Sequence, residues 1–505
     1  MTTEGRGLTP WDRLRGRIDR LNDLVTAIKL MEWDQAVLMP PKGGPARARA
    51  SATLESMAHD EMTAPEVGEL LDELAGDESL EQWQAATVRI MKRDYDKAMK
   101  VPPELVHELA EVRGHAYQAW TQARPADDFD TLRPYLEKLI DLRKQEADAV
   151  GWEGERYDAL LDDFEPGMTT ADVSKMFSDL AAGLKPLAEE ILEAAGHKPA
   201  FLDATYEVEQ QTKFSEWLVE QLGFDYEGGR LDTSPHPFTT GLAPGDVRQT
   251  TRHEPNQLMM SIYGSIHETG HALYEQGMPE QYQGLPVGHP PSLGLHESQS
   301  RMWENQVGRS RGFTAFMLPH LKDLFPSELG NVSPDEFYVG ANFPKRSLIR
   351  VSADEVTYNL HLIMRFELEL AMFRDELDVA DLPDAWKAKS EEHVGIRPPN
   401  DADGVLQDMH WSIGVQGYFP TYTLGTLYSA AFFKKAEEEL GPLHEDFARG
   451  DGSGLHQWLR DNVYVHAYLY PAKEIGEKIL GGPLTVEPFL DYLRTKYGEI
   501  FELSG

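Results

Sequence analysis

Apolar residues recur at three- and four-residue steps along most of this chain, which gathers them on one face of an α-helix. In "WDRLRGRIDRLNDLVTAIKLMEWDQAVLM" they fall at Leu14, Ile18, Leu21, Val25 and Ile28, and "MPPKGG" at 39–44 ends the helix they predict. "PARARASATLESMAHDEM" and "PEVGELLDELAG" predict a second and a third helix. A longer periodic stretch, "SLEQWQAATVRIMKRDYDKAMKVPPELVHELAEVRGHAYQAWTQAR", predicts two helices joined at Pro102 and Pro103. Helical spacing continues through "TTADVSKMFSDLAAGLKPLAEEILEAAG", and no segment repeats another.

The texture changes near residue 224. "FDYEGGRLDTSPHPFTTGLAPGDVRQTTRHEP" is rich in Gly, Pro, Thr and Asp and predicts short strands over 229–232 and 247–252. Two uses are open for them: an edge that takes up an extended peptide, or an ordinary surface hairpin. Helices then resume to the end. The expected fold is mainly α, with one small β-sheet, and residues 1–505 form a single unit.

Just after the strands comes "PNQLMMSIYGSIHETGHALYEQG", a predicted helix with Pro255 near its start and Gly277 at its end. Its apolar residues lie on most sides, which predicts burial. Gly264 and Gly270 each cost roughly 1 kcal/mol against alanine inside a helix. Close packing of neighbouring backbone is the expected compensation.

Composition narrows the classes. The chain has 505 residues, 41% of them hydrophobic, a formal net charge of −37 and no cysteine. A chain of this length can bury a large core. The acidic excess argues against nucleic acid, whose phosphates it would repel. Without cysteine there are no disulfides and no thiolate metal ligands. A polar N-terminus and the lack of a long apolar run predict no signal segment and no membrane span, so a cytoplasmic protein is expected.

The candidate chemistry sits in His267, Glu268 and His271. Histidines four apart share a helix face, where two imidazoles can converge on one ion. Glu268 is turned about 100° from His267, so it flanks the ion and reaches a water rather than the metal. A third ligand is found in "PPSLGLHESQSRMWENQVGRS", a further predicted helix closing near Gly308: Glu297, 26 positions after His271. Glu304, two turns on, is read either as a partner to a ligand or as an ion-paired or solvent-facing carboxylate. Nitrogen and carboxylate ligands with one open position suit Zn2+, and Co2+ could replace it. Glu268 would be the general base for hydrolysis by zinc-activated water.

These residues, with several other motifs in order, resemble the carboxypeptidase Taq family of metallocarboxypeptidases. The motifs are "MEWDQAVLMPPKGG", "HPF" at 236–238, "DVRQT" at 246–250, "HETGH", "HESQ", "IRVSAD" at 349–354 and "GVLQDMHW" at 404–411. The resemblance spans nearly the whole chain. It implies a two-lobed helical body with a deep groove, a shape shared with angiotensin-converting enzyme and the thimet-type oligopeptidases. It also implies a homodimer that removes single residues from peptide C-termini with broad specificity. An oligoendopeptidase or dipeptidyl-peptidase on the same scaffold is the alternative. The proline-hinged N-terminal helices, residues 1–120, are expected to form a lid over the groove. Related zinc peptidases place an aspartate four residues after the third ligand; here Arg301 stands there, and Asp354 is expected to orient a ligand histidine instead. His410 and Tyr418 resemble residues that contact substrate carbonyls in the converting enzymes, while Tyr422 is expected to pack. Arg350 and Arg248 lie in family motifs and are the candidates for gripping the substrate's C-terminal carboxylate. His236 is expected to serve loop structure.

Overall fold

Two large apolar cores organise the computed structural model, which describes residues 8–503. One joins Leu14, Ile18, Leu70 and Met91 to Ile262, Ile266, Trp303 and Tyr464. The other joins Leu109, Leu139 and Phe177 to Ile363, Phe366, Trp411 and Leu493. The chain crosses from the first core to the second between helices Gln82–Lys100 and Pro103–Ala126, at the expected proline pair. Pro103 opens the second helix, where a missing N–H costs nothing. Helix Pro420–Leu440 serves both cores, giving Leu424 and Leu427 to one and Tyr428 and Phe432 to the other.

The predicted N-terminal helices form as Pro10–Val37, Gly44–Met62 and Pro65–Leu74. Thr9 caps the first in a reciprocal pair with Asp12. The first two bury little: Leu14, Ile18 and Trp33 from one, Ala58 alone from the other. Residues 1–7 of the segment expected as a lid lie outside the described residues. The rest of that segment is divided, since residues up to Met91 share the first core and residues from Leu105 the second.

Among the described residues there is one sheet, of three strands: β1 (Gly229–Thr233), β2 (Thr239–Ala243) and β3 (Asp246–Thr251). The two anticipated strands, β1 and β3, pair in parallel and so do not make a hairpin with each other. The unanticipated β2 pairs antiparallel with β3 and forms an edge. Its sequence, TTGLA, has no apolar alternation, and what defines it is the partner strand. Register sets Arg230 beside Arg248, and both guanidiniums lie over the ring of Trp33, at 4.9 and 4.3 Å. Lys29 Nζ donates to the carbonyl of Gly241 on β2 at 3.2 Å. The far end of the first helix is thereby pinned to the sheet. No helix among the described residues is long and apolar enough to cross a membrane.

Candidate metal centre

Helix Leu258–Gly277 carries His267, Glu268 and His271, and helix Leu293–Arg301 carries Glu297. The two can approach because of Gly270. A Cβ there would meet the Ser300 Cα and the Gln299 carbonyl oxygen at 2.7 Å, so only glycine admits this backbone contact. The expectation of close packing fails at Gly264, whose missing Cβ faces open space. A third helix makes room from the other side, for a Cβ on Gly425 would stand 2.6 Å from Glu297 Cγ. Buried Glu165 ties two of these elements, accepting from Gly294 N at 2.5 Å and from Thr421 Oγ1 at 3.1 Å.

The outcome is convergence. One ligand atom from each of His267, His271 and Glu297 lies within 4.8 Å of the others. Glu297 Oε2 stands 3.6 Å from His267 Nε2 and 3.3 Å from His271 Nε2. His267 Nδ1 lies 3.0 Å from Glu304 Oε2. A carboxylate there fixes the proton on Nδ1 and leaves the Nε2 lone pair facing the other two ligands. His271 is held differently: its ring stacks on His296 at 4.3 Å, and His296 Nε2 is anchored by Glu275 Oε1 at 3.0 Å. Burial and the neighbouring His296 press the pKa of His271 down to about 3, so it is neutral, as a ligand must be. Burial opposes ionisation of Glu297, yet His267 and Arg301 hold it well below the usual carboxylate range. Two imidazole nitrogens and one carboxylate oxygen, clustered in a largely buried site, fit a divalent cation.

Glu268 is buried beside this cluster. Its Oε2 accepts from Thr239 Oγ1 at 2.7 Å, and the same hydroxyl lies 3.0 Å from the Glu268 carbonyl. Burial raises the Glu268 pKa. Thr239 directly follows the "HPF" motif on β2, and that adjacency is the signal that could have marked it. The contact expected of Asp354 is overturned: Asp354 caps its own turn, accepting from the backbone N–H groups of Lys345, Val356 and Thr357. Glu304, two turns beyond Glu297, holds the histidine instead.

The remaining candidates fall in two places. His410 and Tyr418 stack at 5.7 Å, and Tyr418 meets Tyr422 edge-on at 5.1 Å. Burial lowers His410 to about 3 and raises Tyr418, so both are neutral hydrogen-bond donors at ordinary pH. Arg350 is buried and already engaged: Nε and Nη2 reach the two oxygens of Asp408 at 3.0 and 2.9 Å, while Nη1 faces the Tyr358 hydroxyl at 3.2 Å. Arg365 shares Asp408 at 3.1 Å. Arg248 stands apart, paired with Asp246 at 2.9 and 3.0 Å and stacked on Trp33. His236 is exposed, and its carbonyl accepts from Ser234 Oγ at 2.6 Å. A second acid–histidine group, Glu367, Glu392 and His393, has its charge answered by Lys389, 2.7 and 3.0 Å from the two carboxylates.

Residues 13–497 match the family model described as carboxypeptidase Taq (M32) metallopeptidase. A thermostable carboxypeptidase 1 from Thermus thermophilus is 43% identical over 486 residues, 94% of this chain and 95% of its own. A carboxypeptidase 1 from Bacillus subtilis is 36% identical, over 96% of this chain and 97% of its own. The crystal structure of an M32 carboxypeptidase from Deinococcus radiodurans superposes with a TM-score of 0.95 at 42% identity, covering 98% of this chain and 100% of that one.

Proposed function

The chain belongs to the carboxypeptidase Taq metallopeptidase family and is a peptide hydrolase, and from that premise we propose that it releases single C-terminal residues from peptides of broad sequence. His267, His271 and Glu297 hold the metal in this reading, and Glu268 is the general base. The observation that carries it is the meeting of three ligand atoms within 4.8 Å beside a buried carboxylate that a threonine hydroxyl keeps in place. The donor set favours Zn2+, with Co2+ as a substitute. A divalent cation held there supplies Lewis acidity and a lowered water pKa.

The chain's own residues do the rest. Glu268, with its pKa raised by burial, takes a proton from the attacking water and passes it to the leaving amine. Neutral His410 and Tyr418 offer donors to the carbonyl oxygen as charge develops on it. Arg350 grips the substrate carboxylate with the Nη1 edge that Asp408 leaves free, helped by the Tyr358 hydroxyl. Arg248, engaged by Asp246 and Trp33, is the weaker candidate for that task. The proposal extends to a cytoplasmic homodimer, supported by the family resemblance and the absence of cysteine, and sedimentation tests the dimer.

The deciding experiment offers one peptide in free-acid and amidated forms and follows products by mass spectrometry. A ladder of single losses from the free acid alone is expected, abolished by a chelator and restored by zinc. Internal fragments, or equal rates on the amide, would replace this reading with an endopeptidase. Arg350→Lys keeps the charge beside Asp408 but loses the fork, so it should narrow the gap between acid and amide chiefly by slowing the acid.

A further inference from the structure

The two oxygens of Glu297 have different partners. Oε2 faces the two histidine Nε2 atoms and accepts from Ser300 Oγ at 3.0 Å. Oε1 accepts from Arg301 Nε at 2.8 Å. The same guanidinium reaches Glu304 Oε2 through Nη1 at 3.3 Å, and that oxygen is the one beside His267 Nδ1. Glu297, Arg301, Glu304 and His267 thus form a closed circuit with a proposed ligand at each end. Both arginines that serve it are braced by aromatic rings. Arg301 lies over Tyr358 at 4.1 Å, and Arg309, which reaches Glu304 Oε1 at 3.2 Å, lies over Tyr263 at 3.7 Å.

We propose that Arg301 is a positioning residue that restricts Glu297 to one metal-facing oxygen and couples the orientation of Glu297 to that of His267. This rests on the assignment of His267, His271 and Glu297 as ligands. A carboxylate can approach a cation through one oxygen or both. Here Oε1 is committed to a charge-assisted bond with a part-buried guanidinium, and turning it away would give up that bond and leave Arg301 with Glu304 alone. Only Oε2 is turned toward the histidines. The planar fork suits the task, since one guanidinium meets carboxylates on two of its edges; a lysine ammonium has no such geometry.

Spacing explains why the circuit closes. Arg301 and Glu304 follow Glu297 by four and seven positions, one and two turns along the same helix face. Winding changes from α to π at Met302–Gly308, directly after Arg301, and such stretches are common at functional sites. The carboxylate beside His267 sits one turn beyond Arg301, and the arginine bridges Glu297 to it.

Arg301→Met and Arg301→Lys, stripped of metal and reloaded with Co2+, test this. In both, the visible spectrum of bound cobalt should differ from that of the wild type, because Glu297 regains its second oxygen. Metal affinity should fall about ten- to a hundred-fold, with the metal-free melting temperature of Arg301→Lys close to the wild type's. An unchanged spectrum and unchanged affinity in Arg301→Lys overturns the proposal, as does an unchanged spectrum with a lowered melting temperature, which marks a purely structural arginine. If neither variant folds, a zinc-loaded crystal structure of the wild-type protein decides: Glu297 Oε2 at about 2.0–2.2 Å from zinc with Oε1 still on Arg301 is expected, and both oxygens on zinc overturns it. A wild-type protein that takes up neither metal refutes the ligand assignment itself, a different failure.

Discussion

Glu268 and Thr239 show what single atoms contribute. Glu268→Gln removes the base and leaves the three proposed ligands, so metal content and melting temperature should hold while turnover drops by about 10²- to 10⁴-fold; kinetics with metal analysis checks this. Thr239→Val removes the hydroxyl 2.7 Å from Glu268 Oε2. One lost hydrogen bond of about 1 kcal/mol should slow turnover several-fold with KM unchanged. Near-native turnover in Glu268→Gln would refute the base assignment. The HExxH spacing made Glu268 legible in the sequence, because helix geometry alone relates it to the histidines. Thr239 was not legible, because it reaches Glu268 across 29 residues from a strand that no periodicity announced.

Between elements, the crossing of the metal helix over helix Leu293–Arg301 depends on a missing methyl group. Gly270→Ala would drive a Cβ into the Gln299–Ser300 backbone. It should cost about 1–3 kcal/mol and loosen metal retention, read from thermal melts and chelator competition. Gly264→Ala meets nothing within 4 Å, so it should instead stabilise the protein by up to about 1 kcal/mol through helix propensity. Both glycines carry the same cost in the sequence. Only the neighbouring backbone separates them.

At the scale of the molecule, we propose that the cover over the site is the layer formed by helices Pro10–Val37 and Gly44–Met62. They bury few side chains, and segments with little burial open most readily. Their hold on the sheet is Trp33 under Arg230 and Arg248, with Lys29 on the Gly241 carbonyl. Hydrogen exchange with and without an inhibitor should show added protection in this layer, and Trp33→Ala should raise its basal exchange. No change there, with clear protection at the metal helix, counts against a moving cover. Acid should also act on the whole fold. Burial holds His361 and His456 to a pKa of about 4 each, against about 6.5 in an unfolded chain. Between those values the unfolded state binds more protons, so the stability these two histidines contribute above about pH 6.5 is lost as pH falls toward 4, and their share levels off below it. Urea midpoints of metal-free protein across that window check this, and His456→Gln should flatten the slope.

Local spacing in the sequence was enough for the helices, for the burial of the HETGH helix, for the choice of His267, His271 and Glu297 as candidate ligands, and for the motifs that mark the family. Most depend on periods of a few residues or on short strings that helix geometry turns directly into a shared face, and Glu297 on a carboxylate carried by a separate predicted helix 26 positions after His271. Contacts between distant segments were decided only in three dimensions. Strand β2 exists through its pairing with β3. Glu304, not Asp354, stands beside His267 Nδ1 and accepts its N–H, while Asp354 is taken up by backbone N–H groups of its own neighbourhood. Arg350 proved to be half-committed to Asp408, 58 residues away. Partner choice for a buried charge depends on which opposite charge the packing brings within about 3 Å, and no one-dimensional pattern encodes that.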